Sequence, residues 1–351
     1  MISGNNVSGT FATRVSTLSF LSAIAVCCFH IPWPEDTIWQ KIFFSLRLHA
    51  GSFALCFFFV SSGGFLAQQA RRPGWWWRTV RRDAVNWLVP YFTLPAICIA
   101  VIALLHLDLG CLLREDLRHL FGLKPCSSPF FYSLWFLRSL FLFVLVSPVV
   151  VRIISAGCGI PLLAFLFSCV ACFASGVVPG AWTASVETTR VYGFFYYTFN
   201  LIGFTAFSSG IYLAQRPVRR PGRGVIRLCG IAALLLASLQ VVLMFLGVGC
   251  WDLLACLLAT PFLLAYVWFR MPDWKLPRAF RGTALSIYLL HLLVIKVYCS
   301  FRPGASLDFL EGLFLFALSV GIPILVGKFL KRWFRVALAL PACRHFRLAV
   351  T

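Results

Sequence analysis

Acidic side chains are what this sequence has least of: eleven Asp and Glu stand against 31 Lys and Arg in 351 residues, and charged residues of both signs make up only 12% of the chain. No carboxylate falls deep in any of the long apolar runs. That argues against a proton-coupled pump built on Asp or Glu relays, and it removes the usual partner for orienting a catalytic histidine. Most of the 14 cysteines lie in apolar runs where cysteine behaves as a small hydrophobe, so no metal site is expected. Phosphate-binding loops, internal repeats, low-complexity segments and a separate soluble domain are all missing. The formal charge of +20 comes without any recognition fold for nucleic acid, which excludes that class of partner.

What is there is hydrocarbon. Hydrophobic residues make up 60% of the chain and the mean hydropathy is +0.88, the composition of a polytopic membrane protein. A ~30 Å hydrocarbon layer asks about 20 apolar residues of a helix. Ten such spans are predicted, at 15–33, 43–68, 84–108, 129–151, 158–178, 195–214, 225–247, 251–270, 282–300 and 308–330. The expected architecture is therefore an all-α polytopic membrane protein. It has a short polar N-terminus (1–14), a single membrane domain (15–333) and a basic tail (334–351), with the first span read as a retained signal anchor.

Charge placement fits an even number of spans with both termini cytoplasmic. Most Lys and Arg then fall on the cytoplasmic side, all the acids except Asp83 and Asp273 fall outside, and Arg138 and Lys296 lie within spans. Clusters such as RRPGWWWRTVRR (71–82) and RPVRRPGRG (216–224) sit where anionic inner-leaflet lipid attracts them. Trp75, Trp76 and Trp77 read as a headgroup-belt run rather than a stacking platform for adenine. Cys111 and Cys126 share one external loop, where an oxidising compartment would permit a disulfide.

Ionisable residues inside a bilayer are costly unless paired or hydrated, so each is a functional candidate. They are His30, His49, Arg138, His291 and Lys296. His30 ends the first span, with Val26, Ala23 and Ser19 along its helical face, and Pro32 and Pro34 stop the helix behind it. The bland reading of His30 and His49 is an interfacial histidine bonded to backbone or headgroups, and of Lys296 a side chain snorkelling to the interface.

Five segments, in order, resemble the acyltransferase-3 family of integral-membrane enzymes that O-acylate glycans and lipids. FFFVSSGGFLAQQ (57–69) is similar to that family's FF-x-x-SG-F-L signature, and RRDAVNWLVPYF (81–92) to its basic segment running into a Pro-Tyr helix start. YSLWFLRSLFLFVLVSP (132–148), FTAFSSGIYL (204–213) and LSIYLLHLL (285–293) resemble its LWFL, FF-x-x-G-x-Y-L and IYLLH elements. The family's first-helix pattern, a basic residue and then His after ten intervening residues, places the histidine at His30 but serine at position 19. Its Arg-x-x-Arg pattern is kept as Arg78 and Arg81.

The resemblance implies an O-acyltransferase of a bacterial inner membrane. It would carry an acyl group, acetyl in the first instance, from cytosolic acyl-CoA as co-substrate, with no bound cofactor, to a hydroxyl of a cell-surface glycan or its lipid-linked precursor. Such a transfer needs a base, and a neutral imidazole suits it: His30. Charge developing on the tetrahedral oxygen needs donors, with Arg138 beside Trp135, Ser61, Ser62 and Gly63 as candidates. Arg78, Arg81 and Arg82 would hold the donor's phosphates. Tyr288 and His291 either line the same cavity or serve a neighbouring helix. Two rivals stay open: a non-enzymatic carrier or flippase for a lipid-linked glycan, and an acyltransferase-like protein weakened by Ser19.

Overall fold

A backbone in hydrocarbon has only its own groups to bond with, and in the computed structural model of the chain the apolar runs are helices. Residues 4–34, 37–84, 135–157, 201–216, 221–246, 249–271, 276–301 and 307–339 are described, with isolated positions 92, 100, 159 and 161. They form nine α-helices: α1 Gly4–His30, α2 Ile38–Gln69, α3 Trp75–Asp83, α4 Trp135–Ser155, α5 Leu201–Gln215, α6 Arg223–Phe245, α7 Gly249–Arg270, α8 Ala284–Ser300 and α9 Phe309–Ala339. A 3-10 turn at Arg278–Phe280 precedes α8. No strand occurs among the described residues. The expected spans at 84–108 and 158–178, and the Cys111–Cys126 pair, lie outside these residues.

Five of the helices contain stretches long and apolar enough to cross a membrane: Thr13–His30, Ile38–Gln69, Phe136–Ser155, Arg223–Phe245 and Phe309–Phe329. These correspond to the first, second, fourth, seventh and tenth predicted spans. Two helices outrun their apolar patterns. α1 starts at Gly4, inside the segment read as a polar terminus, and α9 continues to Ala339, because a helix already nucleated extends through polar residues at little cost.

The ends are set by local chemistry. Thr37 and Gln40 form a reciprocal capping box at the start of α2. Asp308 and Glu311 make the equivalent pair at α9, with Glu311 N donating to Asp308 Oδ1 over 2.7 Å and Asp308 N to Glu311 Oε2 over 3.3 Å. α1 stops before Pro32, and the indole Nε1 of Trp33 turns back to donate to Cys28 O at 3.0 Å.

α2 is the hub, packed against α1, α4, α5, α6 and α7. Its tightest neighbour is α5. A Cβ on Gly63 would lie 2.0 Å from Phe207 O, and one on Gly210 2.0 Å from Val60 O, so the two backbones touch along a small-residue crossing. α4 lies against both through Phe143, whose ring is 5.4 Å from Phe59 and 5.5 Å from Phe207. On the other side of α1, α8 and α9 pack as a hairpin.

Neighbouring side chains give the helix directions. Phe59 meets Gly203 and Gly63 meets Phe207, so α2 and α5 are parallel. α1 and α8 are parallel too, with Cys27 and Ile287 in one apolar cluster and Ile31 and Leu292 in the next. α1, α6 and α8 run one way and α2, α4, α5, α7 and α9 the other, the alternation expected of odd and even spans. One end of the bundle therefore gathers most of the exposed cations, Arg71, Arg72, Arg78, Arg81 and Arg82 after α2, then Arg152, Arg216, Arg223, Arg227, Arg270, Arg281 and Lys328, while Lys41 lies at the other end, in the first turn of α2. His30 ends its helix at the opposite face.

α6 shows how lipid exposure reads in a structure. Only Ile226, Ala233 and Gln240 of α6 are buried, two turns apart, while Leu228, Ile231, Leu234, Leu235 and Val242 stand exposed. Gln240 accepts a hydrogen bond from Ser45 Oγ of α2. His49, one turn along α2, is buried beside the same amide, so its place is an interhelical polar contact.

Candidate functional site

Two histidines from distant parts of the chain meet between α1 and α8. The ring centroids of His30 and His291 are 5.3 Å apart at an interplanar angle of 33°. Their surroundings are aromatic. Phe29 stands edge-on to His30 at 5.2 Å, and Tyr288 lies 6.2 Å from His291. The Tyr288 ring in turn meets Phe58 of α2 at 5.9 Å and Phe136 of α4 at 5.2 Å. Four helices thus converge on the pair.

His291 has no exposed surface, and its Nδ1 is 2.9 Å from Ile287 O. A carbonyl only accepts, so Nδ1 carries the hydrogen, and in the neutral ring Nε2 keeps the lone pair. That Nε2 is buried with no hydrogen-bond partner among the described residues. An unsatisfied acceptor in an apolar interior is costly, and in a site it is a place for a hydroxyl or a water.

Arg138 lies two residues beyond Phe136 on α4, half-buried, and Trp135 opens that helix. Ser61 Oγ donates back to Phe58 O at 3.0 Å. Ser61, Ser62 and Gly63 all lie inside the continuous α2, where amides are committed to carbonyls four residues back. Gly63 is spoken for by the α5 crossing. Ser19 is half-buried on α1, about 16 Å along the axis from His30 at 1.5 Å per residue.

The basic residues form a separate region. Arg78, Arg81 and Arg82 are exposed on α3, whose Trp75 packs on the core while Trp76 and Trp77 are open. Arg78 bonds to Pro73 O, and Arg82 Nε donates to Asp83 Oδ1 at 2.8 Å. Asp83 is buried, and burial holds its carboxyl above the usual range although Arg82 pulls the other way. Lys296 is half-buried towards the end of α8, away from the α3 cations.

Arg47 was not among the expected ionisable residues. It is buried, with Nη1 3.1 Å from Ile31 O and 3.5 Å from Phe29 O, the carbonyls on either side of His30 in sequence. The signal was present, since residue 47 falls inside the predicted span 43–68. A cation one turn from a span's end is easily counted with the adjoining loop. Among the described residues, no group of three or more His, Cys, Asp or Glu is arranged to hold a metal ion.

A bundle of apolar helices around a histidine pair, His291 buried and His30 half-buried, with most of its exposed cations gathered at one end, defines an integral membrane protein. The model of the acyltransferase-3 family, described as an acyltransferase domain, matches residues 17–328. The chain belongs to that family, and its class of activity is that of a membrane acyltransferase. No curated protein and no solved structure matches it significantly.

Proposed function

We propose that the protein is a membrane O-acyltransferase that moves an acyl group, acetyl in the first instance, from cytosolic acyl-CoA to a hydroxyl of a cell-surface glycan or lipid-linked glycan precursor. The carrying observation is the His30–His291 pair, two imidazoles 5.3 Å apart in an interior otherwise lined by Phe and Tyr. A lipid-facing bundle has no packing need for two adjacent imidazoles, whereas acyl transfer needs a base.

In this reading His30 removes the proton from the acceptor hydroxyl as its oxygen attacks the thioester carbonyl. The C–O bond forms, the C–S bond breaks, and the proton passes from His30 to the leaving thiolate. His291 Nε2 accepts a hydrogen bond from the incoming hydroxyl or a bridging water, holding it beside His30. Arg138 is the donor assigned to the developing oxyanion. Tyr288 and the two Phe rings exclude bulk water, which would hydrolyse the thioester.

The donor's phosphates are assigned to Arg78, Arg81 and Arg82 at the basic end, placed at an inner membrane surface by the excess of Lys and Arg there. His30 ends α1 at the other face, so the acyl-bearing arm must reach through the bundle. That geometry suits a donor and an acceptor arriving from opposite sides.

The deciding experiment supplies radiolabelled acetyl-CoA to membranes carrying wild type or His30→Ala at matched abundance and measures label in envelope glycan. Label with wild type that vanishes with alanine is the expected result. Equal label from both removes His30 from the chemistry and favours a carrier role.

A further inference from the structure

α1 ends in an apolar environment, which raises the question of what satisfies its last carbonyls. The final turn of any helix leaves C=O groups without intrahelical partners, and Pro32 and Pro34 cannot continue the ladder. Trp33 Nε1 takes Cys28 O. Arg47 of α2 takes the carbonyls of Phe29 and Ile31. The residue is 5% exposed, and its guanidinium lies over the rings of Phe43 and Phe44, 5.4 and 5.3 Å from their centroids. One turn further along α2, Gly51 leaves room for Phe29, since a Cβ there would stand 3.3 Å from that ring.

Arg47 and Gly51 thus form a seat on α2 for the turn that carries His30. The cation receives the backbone on both sides of the histidine, and the missing side chain receives the ring beside it. One nitrogen, Nη1, reaches both carbonyls, and the planar guanidinium is held there over the Phe43 and Phe44 rings; a lysine, a compact point charge on a flexible stem, lacks that stacked plane.

We propose that Arg47 is a positioning residue for His30, clamping the last turn of α1 so that the imidazole is held against His291. The idea rests on the acyl-transfer reading given above for its catalytic consequence, but not for its structural one. Displacing a catalytic group by about 1 Å costs on the order of 100-fold in rate, so the clamp matters although Arg47 is assigned no contact with substrate.

The test compares Arg47→Met and Arg47→Lys with wild type, as full-length protein in lipid nanodiscs, by two readouts. The first is acyl-transfer kinetics with acetyl-CoA. The Met variant is expected to lose about 10- to 100-fold in kcat with KM for acetyl-CoA within about twofold, and Lys to recover part of the loss. The second is the imidazole nitrogen NMR signal of His30, identified by its loss in His30→Gln. It is expected to shift or broaden with Met and return part of the way with Lys.

A His30 signal identical to wild type in Arg47→Met overturns the proposal, as does a folded Met variant with unchanged kcat. If Met does not accumulate, the Lys variant decides: wild-type kcat and signal with Lys overturn the proposal, and a partial loss in both supports it. If the wild type transfers no acyl group, the acyl-transfer reading fails while the NMR signal still decides the clamp.

Discussion

His30 and His291 stand 5.3 Å apart, and the surroundings of the two rings differ. His291 is fixed by its Nδ1 bond to Ile287 O, whereas His30 occupies a terminal turn whose neighbouring carbonyls are gripped by Arg47. A rigid acceptor and an oriented base are a natural division of labour for moving one proton.

The two histidines should therefore differ in their kinetics. His30→Gln is expected to reduce kcat for acyl transfer by about 100-fold or more with little change in KM for acetyl-CoA. His291→Phe, which loses the acceptor but leaves the base, should cost about 10-fold. Steady-state kinetics on purified variants read this directly, and a His291 variant as inert as the His30 one would make the second ring the base.

The α2–α5 crossing makes a sharper prediction about stability. Gly63→Ala puts a methyl 2.0 Å from Phe207 O, whereas Gly64→Ala meets only Gly210 O at 3.7 Å. The first must force the backbones apart, at about 1–3 kcal/mol or more, and the second should be nearly silent. Thermal unfolding of both variants in the same detergent checks it, and equal Tm values would mean that the helices do not touch there.

Asp83 ties stability to pH. Burial raises its carboxyl above the ordinary value near 3.9, so the folded state holds the proton more tightly than the unfolded chain. Stability is then greatest in acid, declines as pH climbs from the unfolded value through the raised folded one, and stays lower at neutrality. Asp83→Asn should flatten that decline and be at least as stable as wild type at pH 7, because the Arg82 partner is half-exposed and contributes little. Unfolding midpoints from pH 4 to 7 decide, and a less stable Asn variant at pH 7 would show that the ion pair outweighs the burial.

Position 19 tests whether this chain departs functionally from its relatives. Serine there supplies no cation, and the residue is half-buried on α1. Ser19→Arg is expected to raise the acyl-transfer rate at matched abundance. An unchanged rate would mean that the charge is dispensable in this protein or supplied by another residue.

The sequence by itself determined that the chain lives in a membrane, where most of its helices lie, and that most of its cations gather at one end. These are sums over neighbouring residues: hydropathy over some twenty positions and charge over the loops between them. Five ordered motifs also carried the family. Tertiary structure alone decided that the histidine ending α1 meets the one in the middle of α8, and that Arg47 enters the turn between. It also assigned Gly63 to the contact with α5. Lipid is as apolar as the helices, so hydropathy does not choose which of them pack together. Close backbone crossings, aromatic shape and a few buried polar bonds make that choice, and they join residues that no local pattern relates.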